Sequence, residues 1–125
     1  MNKKRILIVD DEVPLTRLLK LSLEQAGAYA VEVENRPEEA VRTAERFLPE
    51  LVLMDVMMPG IDGGTLAAQF GTREPLKQVP IVFLTAAVKR DEVQRRQGQI
   101  GGYPFLAKPV NLQEITRCLE HHLGT

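Results

Sequence analysis

Short runs of uninterrupted apolar residues are the clearest feature of the pattern along the chain. Each is about as long as a β-strand and lacks polar alternation, which is typical of strands in a parallel sheet covered on both faces. Residues 29–34, rich in valine, and a short stretch around Phe105 and Leu106 are weaker candidates. The pattern therefore predicts five strands, the three clearest at residues 6–9, 51–54 and 81–84.

Segments between these strands have the apolar spacing of amphipathic helices. Gly27 and Pro49 are expected to end the first two helices, and Asn111 is a good N-cap for the last one. The first helix is predicted to turn Leu15, Leu18, Leu19, Ser22 and Ala26 toward the core, and the last one Leu112, Ile115, Leu119 and Leu123. The predicted helices cover residues 13–26, 37–47, a short segment around 66–70, 89–97 and the segment after residue 111.

Five alternations of strand and helix predict an α/β fold. The expected architecture is a doubly wound, five-stranded parallel sheet of flavodoxin-like type, with strand order 2-1-3-4-5 and helices on both faces. The whole chain, residues 1–125, is expected to form a single domain. Residues 124 and 125 either end it or begin a linker to a further domain.

Composition narrows the classes of function. The 125 residues carry a net charge of −1 and a sequence pI near 6.1, which argues against nucleic-acid binding driven by phosphate neutralisation. Cys118 is the only cysteine, so an internal disulfide or a multi-cysteine zinc site is excluded and a reducing compartment fits. Every apolar run is far below the ~20 residues of a membrane helix. We therefore expect a soluble, cytoplasmic domain that contacts neither nucleic acid nor membrane.

Polar residues follow the predicted strands where each strand ends. Asp10 and Asp11 follow the first strand, Asp55 the third, Thr85 the fourth and Lys108 the fifth. In open α/β sheets this carboxyl edge is where ligands bind. Because the first and third strands are expected to be neighbours, their carboxylates can share one cation, and Mg²⁺ suits a site made of oxygens. The acidic triplet Asp10, Asp11 and Glu12, taken alone, has an equally good alternative interpretation. Three solvated carboxylates could simply lie at the start of a helix, where the helix dipole favours negative charge.

Asp55 directly follows a buried strand, so its carboxylate must lie at the edge of the sheet. We expect its oxygens to be open to solvent, where a carboxylate can act as a nucleophile toward phosphorus. Lys108 would supply a positive point charge and Thr85 a hydroxyl donor for a phosphoryl group. Taken singly, Thr85 reads better as a helix cap and Lys108 as a surface lysine. Their placement together at strand ends favours a phosphoryl site.

With these residues placed, the chain closely resembles the receiver domain of bacterial two-component response regulators, from Ile6 to Leu123. The resemblance implies that Asp55 accepts a phosphoryl group from a histidine kinase or phosphotransfer protein. The motifs that carry it are Asp10 with Asp11; Asp55 followed by Met58, Pro59, Gly60, Ile61, Asp62 and Gly63; Thr85 with Ala86; and Phe105, Leu106, Ala107, Lys108 and Pro109.

The resemblance also implies roles for single residues. Mg²⁺ would be held by Asp10, Asp11, Asp55 and the backbone carbonyl of Met57. Thr85 and Phe105 would be paired switch residues, and Lys108 would bridge to the phosphoryl group. The bond between Lys108 and Pro109 is expected to be cis, and Tyr103 with Pro104 departs from the family pattern and predicts a short fifth strand.

The expected function is thus that of a switch and not of an enzyme. The domain would nevertheless promote its own phosphorylation and also its own dephosphorylation, which would be slow. Phosphorylation would alter the face formed by the fourth helix, fifth strand and fifth helix. The expected recipients are a downstream protein or an attached output domain, with a homodimer forming on activation.

Two other functions are alternatives to a phosphorylation switch. An interaction module could keep the same pocket and act without phosphorylation. A phosphatase of the haloacid dehalogenase kind would need a second aspartate two residues after the nucleophile, and that position is Met57.

Overall fold

A computed structural model describes residues 2–86, 99–100 and 102–124 of the chain. Its main sheet contains five parallel strands in the order β2-β1-β3-β4-β5, which confirms the predicted topology. A two-residue strand, Gln99–Ile100, pairs antiparallel with β5 at the sheet edge and was not predicted. The parallel strands are β1 (Lys4–Val9), β2 (Tyr29–Glu34), β3 (Leu51–Asp55), β4 (Ile81–Thr85) and β5 (Tyr103–Ala107).

The central strands are apolar on both sides because helices cover both faces of the sheet. Leu7 and Val9 of β1 pack in one core cluster, whereas Ile6 and Ile8 pack in the other. The first cluster includes side chains of the second and third helices, and the second includes side chains of the first and last helices. This two-sided burial explains why the strand sequences lack polar alternation.

The helices agree with the prediction in most of their bounds. Pro37 opens a 3₁₀ turn, Pro37–Glu39, which leads directly into the second helix. Asn111 caps the last helix by accepting hydrogen bonds from the N–H groups of Gln113 and Glu114. The predicted helix at residues 89–97 lies outside the described residues. The described helices are α1 (Val13–Gln25), α2 (Ala40–Phe47), α3 (Gly63–Gly71) and the C-terminal helix (Leu112–Leu123).

The predicted inward faces of two helices were partly wrong. Leu18 is 61% exposed, whereas Leu23, which was not predicted, is 1% exposed. In α1 the buried stripe runs through Leu19 and Leu23 at four-residue spacing, and Leu18 lies to one side of that stripe. Leu112 is 43% exposed because it occupies the first position of its helix, before the turn that carries buried Ile115.

The fifth strand is longer than predicted. β5 has five residues, as many as β3 and β4, although Pro104 lies within it. Pairing with β4 runs only from Phe105 to Ala107, and the residues before it pair with Gln99–Ile100 instead. Proline has no N–H to donate, so its place near the sheet edge is where it is tolerated.

No helix in the described part of the chain is both long and apolar enough to cross a bilayer.

Candidate functional site

The structure brings together the three carboxylates that the strand ends predicted to be neighbours. β1 and β3 are hydrogen-bonded neighbours, with Val9 opposite Met54, so the residues that follow Val9 lie beside the end of β3. One carboxylate oxygen from each of Asp10, Asp11 and Asp55 lies within 4.8 Å of the other two. The result is a dense patch of negative charge at the carboxyl edge of the sheet.

Asp10 is fully buried and is held through both its side chain and its backbone. Its Oδ1 accepts a hydrogen bond from the Glu12 N–H at 2.9 Å. The Asp10 N–H donates to the carbonyl of Glu34 at 3.2 Å, which extends the β1–β2 pairing by one bond. Its Oδ2 lies 2.8 Å from the Lys108 ammonium but has no hydrogen bond of good geometry among the described residues.

The Asp55 carboxylate is more enclosed than expected. Its side chain is only 7% exposed, so the prediction of oxygens open to solvent was wrong. The reason is that β3 runs on through Asp55 and that Lys108 Nζ lies 3.5 Å from its Oδ1. The carboxylate still faces charged groups, Asp10 and Asp11 among them. Burial, and then the negative charge of Asp10, raise the pKa of Asp55 to about 6, while Lys108 opposes the shift.

Lys108 is the cation of the site. Its ammonium lies 2.5 Å from Glu12 Oε2, 2.8 Å from Asp10 Oδ2 and 3.5 Å from Asp55 Oδ1. Burial by itself lowers the pKa of Lys108, but the contacts with Asp10 and Glu12 outweigh it and the net shift is upward. The Lys108 ammonium is therefore charged at neutral pH.

The backbone around Lys108 fixes its position. The Lys108 N–H donates to the carbonyl of Thr85 at 2.8 Å, which ties the ends of β4 and β5 together. The peptide bond between Lys108 and Pro109 is cis, as the family resemblance led us to expect. The Glu12 contact was not predicted, and the acidic triplet at residues 10–12 was its only signal in the sequence.

Thr85 and Phe105, the expected switch pair, lie on the same face of neighbouring strands. Thr85 is the last residue of β4 and is 1% exposed. The register places Phe105 opposite Phe83 and Ala107 opposite Thr85, so Thr85 and Phe105 are diagonal neighbours. Phe105 packs on Phe83 with ring centroids 5.1 Å apart.

A short hairpin after β3, in which Met57–Met58 pairs antiparallel with Ile61–Asp62, places Met57 beside the carboxylate cluster. Its N–H donates to Asp55 Oδ1 at 3.4 Å, while its side chain is 68% exposed. Gly63 begins α3 directly against this strand end, because its N–H donates to the carbonyl of Val56 at 2.7 Å. A Cβ at position 63 would lie 2.6 Å from the carbonyl oxygen of Asp55, so only glycine allows this approach. The glycine thereby fixes the backbone on which Asp55 stands.

The donors of the cluster suit a hard divalent cation. All three side chains offer carboxylate oxygens, and no cysteine or histidine takes part. The buried Asp10 Oδ2 lies 2.8 Å from the Lys108 ammonium but accepts no well-oriented hydrogen bond from the described residues, so it remains available as an oxygen ligand for a divalent cation. A compensating cation would also relieve the repulsion among the three carboxylates.

A doubly wound sheet with an acidic cluster at its carboxyl edge is the architecture that the resemblance to receiver domains implies, and the family comparison agrees. Residues 6–120 match the model of the response regulator receiver domain, and the chain belongs to that family. Receiver domains are the regulatory domains of two-component signalling systems.

One similar protein is the phosphate regulon transcriptional regulatory protein PhoB of Pseudomonas aeruginosa. It is 36% identical over 118 residues, which cover 94% of this chain and 50% of that protein. The chain thus spans about half the length of this relative.

Solved structures share the fold over nearly the whole chain. The chemotaxis protein CheY4 of Vibrio cholerae superposes with a TM-score of 0.81 at 25% identity. The superposition covers 96% of this chain and 98% of the CheY4 chain. A sensor histidine kinase receiver domain from Pseudomonas aeruginosa has a TM-score of 0.80 at 30% identity, with coverage of 99% and 100%. That structure has a magnesium ion coordinated in its active site cleft.

Proposed function

We propose that this receiver domain is a phosphorylation-dependent switch in which Asp55 accepts a phosphoryl group. The donor is the phosphohistidine of a histidine kinase or of a phosphotransfer protein. One observation carries the proposal: the Asp55 carboxylate lies between two further carboxylates, Asp10 and Asp11, and a lysine ammonium. Phosphoryl transfer asks a protein mainly for positioning and charge neutralisation, and this arrangement supplies both.

In the transfer step, an Asp55 carboxylate oxygen attacks phosphorus in line with the phosphorus–nitrogen bond of the donor. That bond breaks, its electron pair stays on the imidazole nitrogen, and this nitrogen takes up a proton. Asp55 becomes an acyl phosphate.

Asp10 and Asp11, with Asp55 and the carbonyl of Met57, would hold Mg²⁺. The carboxylate chemistry supports this assignment, as does the magnesium in the related Pseudomonas receiver domain. An ion held by these residues would supply positive charge to the transferring phosphoryl group.

Lys108 must change partners during the switch. Its ammonium now lies closer to Glu12 and Asp10 than to Asp55. The phosphoryl group carries roughly −1.5 to −2 charge and replaces the single charge of the Asp55 carboxylate, so the added negative charge draws the ammonium away from Glu12. Lys108 then bridges to a phosphoryl oxygen and contributes part of the free energy that separates the two states.

The Thr85 hydroxyl donates to another phosphoryl oxygen. Such a charged hydrogen bond contributes about 1.5–3 kcal/mol, whereas moving an equilibrium from 1:99 to 99:1 needs about 5.5 kcal/mol. Thr85 therefore acts together with Lys108 and the metal. Its movement makes room for Phe105, which changes the face to which β5 and the C-terminal helix contribute.

That face would contact an attached output domain or a separate downstream protein, and a homodimer would form on activation. Dephosphorylation would be slow, because the exposed Met57 side chain offers no polar atom to orient an attacking water. The domain regulates its partners and catalyses only the chemistry of its own phosphorylation site, in the cytoplasm.

Intact mass after incubation with acetyl phosphate and Mg²⁺ tests the proposal. The native chain should gain the mass of one phosphoryl group, and Asp55→Asn should gain none. Asp62→Asn is the matched control, because Asp62 is an exposed N-cap of α3 and that variant should still be phosphorylated. Removal of Mg²⁺ by EDTA should abolish the adduct. A native chain that gains no phosphoryl group would instead favour an interaction module that acts without phosphorylation.

A further inference from the structure

A polar side chain outside the family motifs contacts the acidic loop from the neighbouring strand. Asn35 follows β2 and is partly buried. Both hydrogens of its amide are used: Nδ2 donates to the carbonyl oxygen of Asp10 at 2.8 Å and to Thr16 Oγ1 at 2.9 Å. One side chain thus joins the end of β1, the first turn of α1 and the end of β2.

We propose that Asn35 is a positioning residue for the metal site, because it fixes the backbone of the loop that carries Asp10 and Asp11. The inference rests on the proposed function in one respect, namely that these carboxylates hold Mg²⁺. It adds a residue that contacts neither the metal nor the phosphoryl group.

The connections of the loop show why this contact matters. Only residues 10–12 separate β1 from α1, and two of the three carboxylates of the cluster project from them. Pairing with β2 holds the N–H of Asp10, and the Asn35 amide holds its carbonyl. That carbonyl belongs to the peptide group between Asp10 and Asp11. A rotation of this group would move both residues, so the Asn35 contact restrains two metal ligands at once.

Thr16 makes the restraint rigid. Its hydroxyl accepts from Asn35 and donates to the carbonyl of Val13 at 3.1 Å, within the first turn of α1. Thr16 is 1% exposed, so its hydroxyl is held in a packed environment. The Asn35 amide is therefore oriented by one partner while it holds the other.

Asn35 is neutral, and this makes its role separable from electrostatics. Its replacement by another neutral residue leaves the charge around the carboxylates unchanged, so a change in Mg²⁺ affinity would report on geometry. Outer partners that orient metal ligands typically alter metal affinity by about 10–100-fold when they are removed.

The test is a Mg²⁺ titration of Asn35→Leu and Asn35→Ala, followed by backbone amide shifts in ¹H–¹⁵N spectra. Leucine keeps roughly the volume of asparagine without its donors, and alanine guards against a packing defect caused by leucine. Both variants should remain folded, with a Mg²⁺ dissociation constant raised about tenfold.

Thr43→Val is the matched control. It removes the 2.6 Å hydrogen bond that the Thr43 hydroxyl donates to the Glu34 side chain at the end of the same strand, and none of the described hydrogen bonds joins Thr43 to Asp10. Its dissociation constant should stay within about twofold of the native value. Folded Asn35 variants that bind Mg²⁺ as tightly as the native chain would overturn the inference, as would an equal loss of affinity in Thr43→Val.

Phosphorylation by acetyl phosphate separates this inference from the proposed function. In the Asn35 variants the Mg²⁺ concentration for half-maximal rate should rise with the dissociation constant, while the rate at saturating Mg²⁺ changes little. If the native chain binds Mg²⁺ but is not phosphorylated, the proposed function fails and the dissociation constants still decide the role of Asn35. If the native chain binds no Mg²⁺, both fail.

Discussion

Asp55 shows how strongly the chemistry of one carboxylate depends on its surroundings. Enclosure at the end of β3 and the negative charge of Asp10 raise its pKa to about 6, although Lys108 lies 3.5 Å away. Among the described residues, Lys108 is the one cation in contact with the carboxylate cluster and Glu12. We therefore expect a divalent cation to relieve the remaining repulsion and to increase the stability of the fold.

Asp55→Asn should stabilise the protein in the absence of divalent cations, and increasingly so as pH rises. The pKa of Asp55 rises from its ordinary value of 3.8 to about 6 on folding, so its ionisation above pH 4 costs folding free energy. Asparagine does not titrate. The free energy of unfolding of the variant, minus that of the native chain, should grow between about pH 4 and pH 7 by up to about 3 kcal/mol.

Urea denaturation in EDTA at the two pH values measures this difference, and Mg²⁺ should reduce it by stabilising the native chain alone. Asp62→Asn should behave oppositely. Hydrogen bonds from the backbone N–H and then the hydroxyl of Thr65 lower the pKa of Asp62. Asparagine keeps an oxygen that can cap the helix but loses the charge, so this variant should become slightly less stable than the native chain as pH rises. An Asp55→Asn variant less stable than the native chain near pH 7 in EDTA would contradict the account.

For single residues, the sequence predicted which side chains lie close together but not how they are arranged. Asp10, Asp11, Asp55 and Lys108 could be placed together because each follows a strand and parallel strands end at one edge. The enclosure of Asp55 depends on where the Lys108 side chain lies, which no spacing encodes. The contact of Asn35 with Asp10 depends on the register of β1 and β2, and a single polar residue after a strand has no signal of its own.

Among the elements, the strands were predicted more accurately than the helix faces. Unbroken apolar runs mark strands buried on both sides whichever helix lies above them, so β1, β3 and β4 could be located directly. The face that a helix buries depends on its rotation against the sheet and against its neighbours. The rotation of α1 is what leaves Leu18 exposed and Leu23 buried. The two-residue strand Gln99–Ile100 is too short for any sequence pattern to indicate.

The C-terminal end of α2 contains a testable strain. Leu48 adopts a left-handed conformation, φ 54°, that costs an L-residue roughly 1–2 kcal/mol, and its side chain is 46% exposed. Leu48→Gly should remove this cost, but it also loses apolar contact and increases the conformational entropy of the unfolded chain. We therefore expect a net increase in the free energy of unfolding of about 0.5 kcal/mol.

Leu48→Ala provides the comparison, because it loses the same contact and keeps the strain. It should be less stable than both the native chain and Leu48→Gly in urea denaturation. If alanine were at least as stable as glycine at this position, the conformational cost at Leu48 would be absent.

In the molecule as a whole, the site and the proposed output face lie at neighbouring places on one sheet. The end of β4 contributes Thr85, and β5 contributes both Phe105 and the strand end that precedes Lys108. The fold could be predicted almost completely, because alternating strands and helices permit few topologies. The partner could not, because surfaces that recognise a particular protein follow no general pattern.

Thr85→Ala tests the transmission across this sheet. The variant keeps Asp55, Lys108 and the metal site, so it should still be phosphorylated. It loses a hydrogen bond of about 1.5–3 kcal/mol to the phosphoryl group, so a smaller fraction of the phosphorylated domain should reach the active state.

Amide shifts in ¹H–¹⁵N spectra measure this fraction when the phosphorylated and unphosphorylated forms are compared. Changes in β5 and the C-terminal helix should be much smaller in the variant than in the native chain, while changes near residue 55 persist. Equal changes in β5 in both proteins would show that Thr85 is not part of the switch.

The chemical identity of the phosphorylated group tests the central claim most directly. An acyl phosphate is reduced by borohydride, which would convert a phosphorylated Asp55 into homoserine. After phosphorylation with acetyl phosphate, reduction and proteolysis, tandem mass spectrometry should find homoserine at position 55. Homoserine at another aspartate, such as Asp10, Asp11 or Asp62, or at none, would contradict the account.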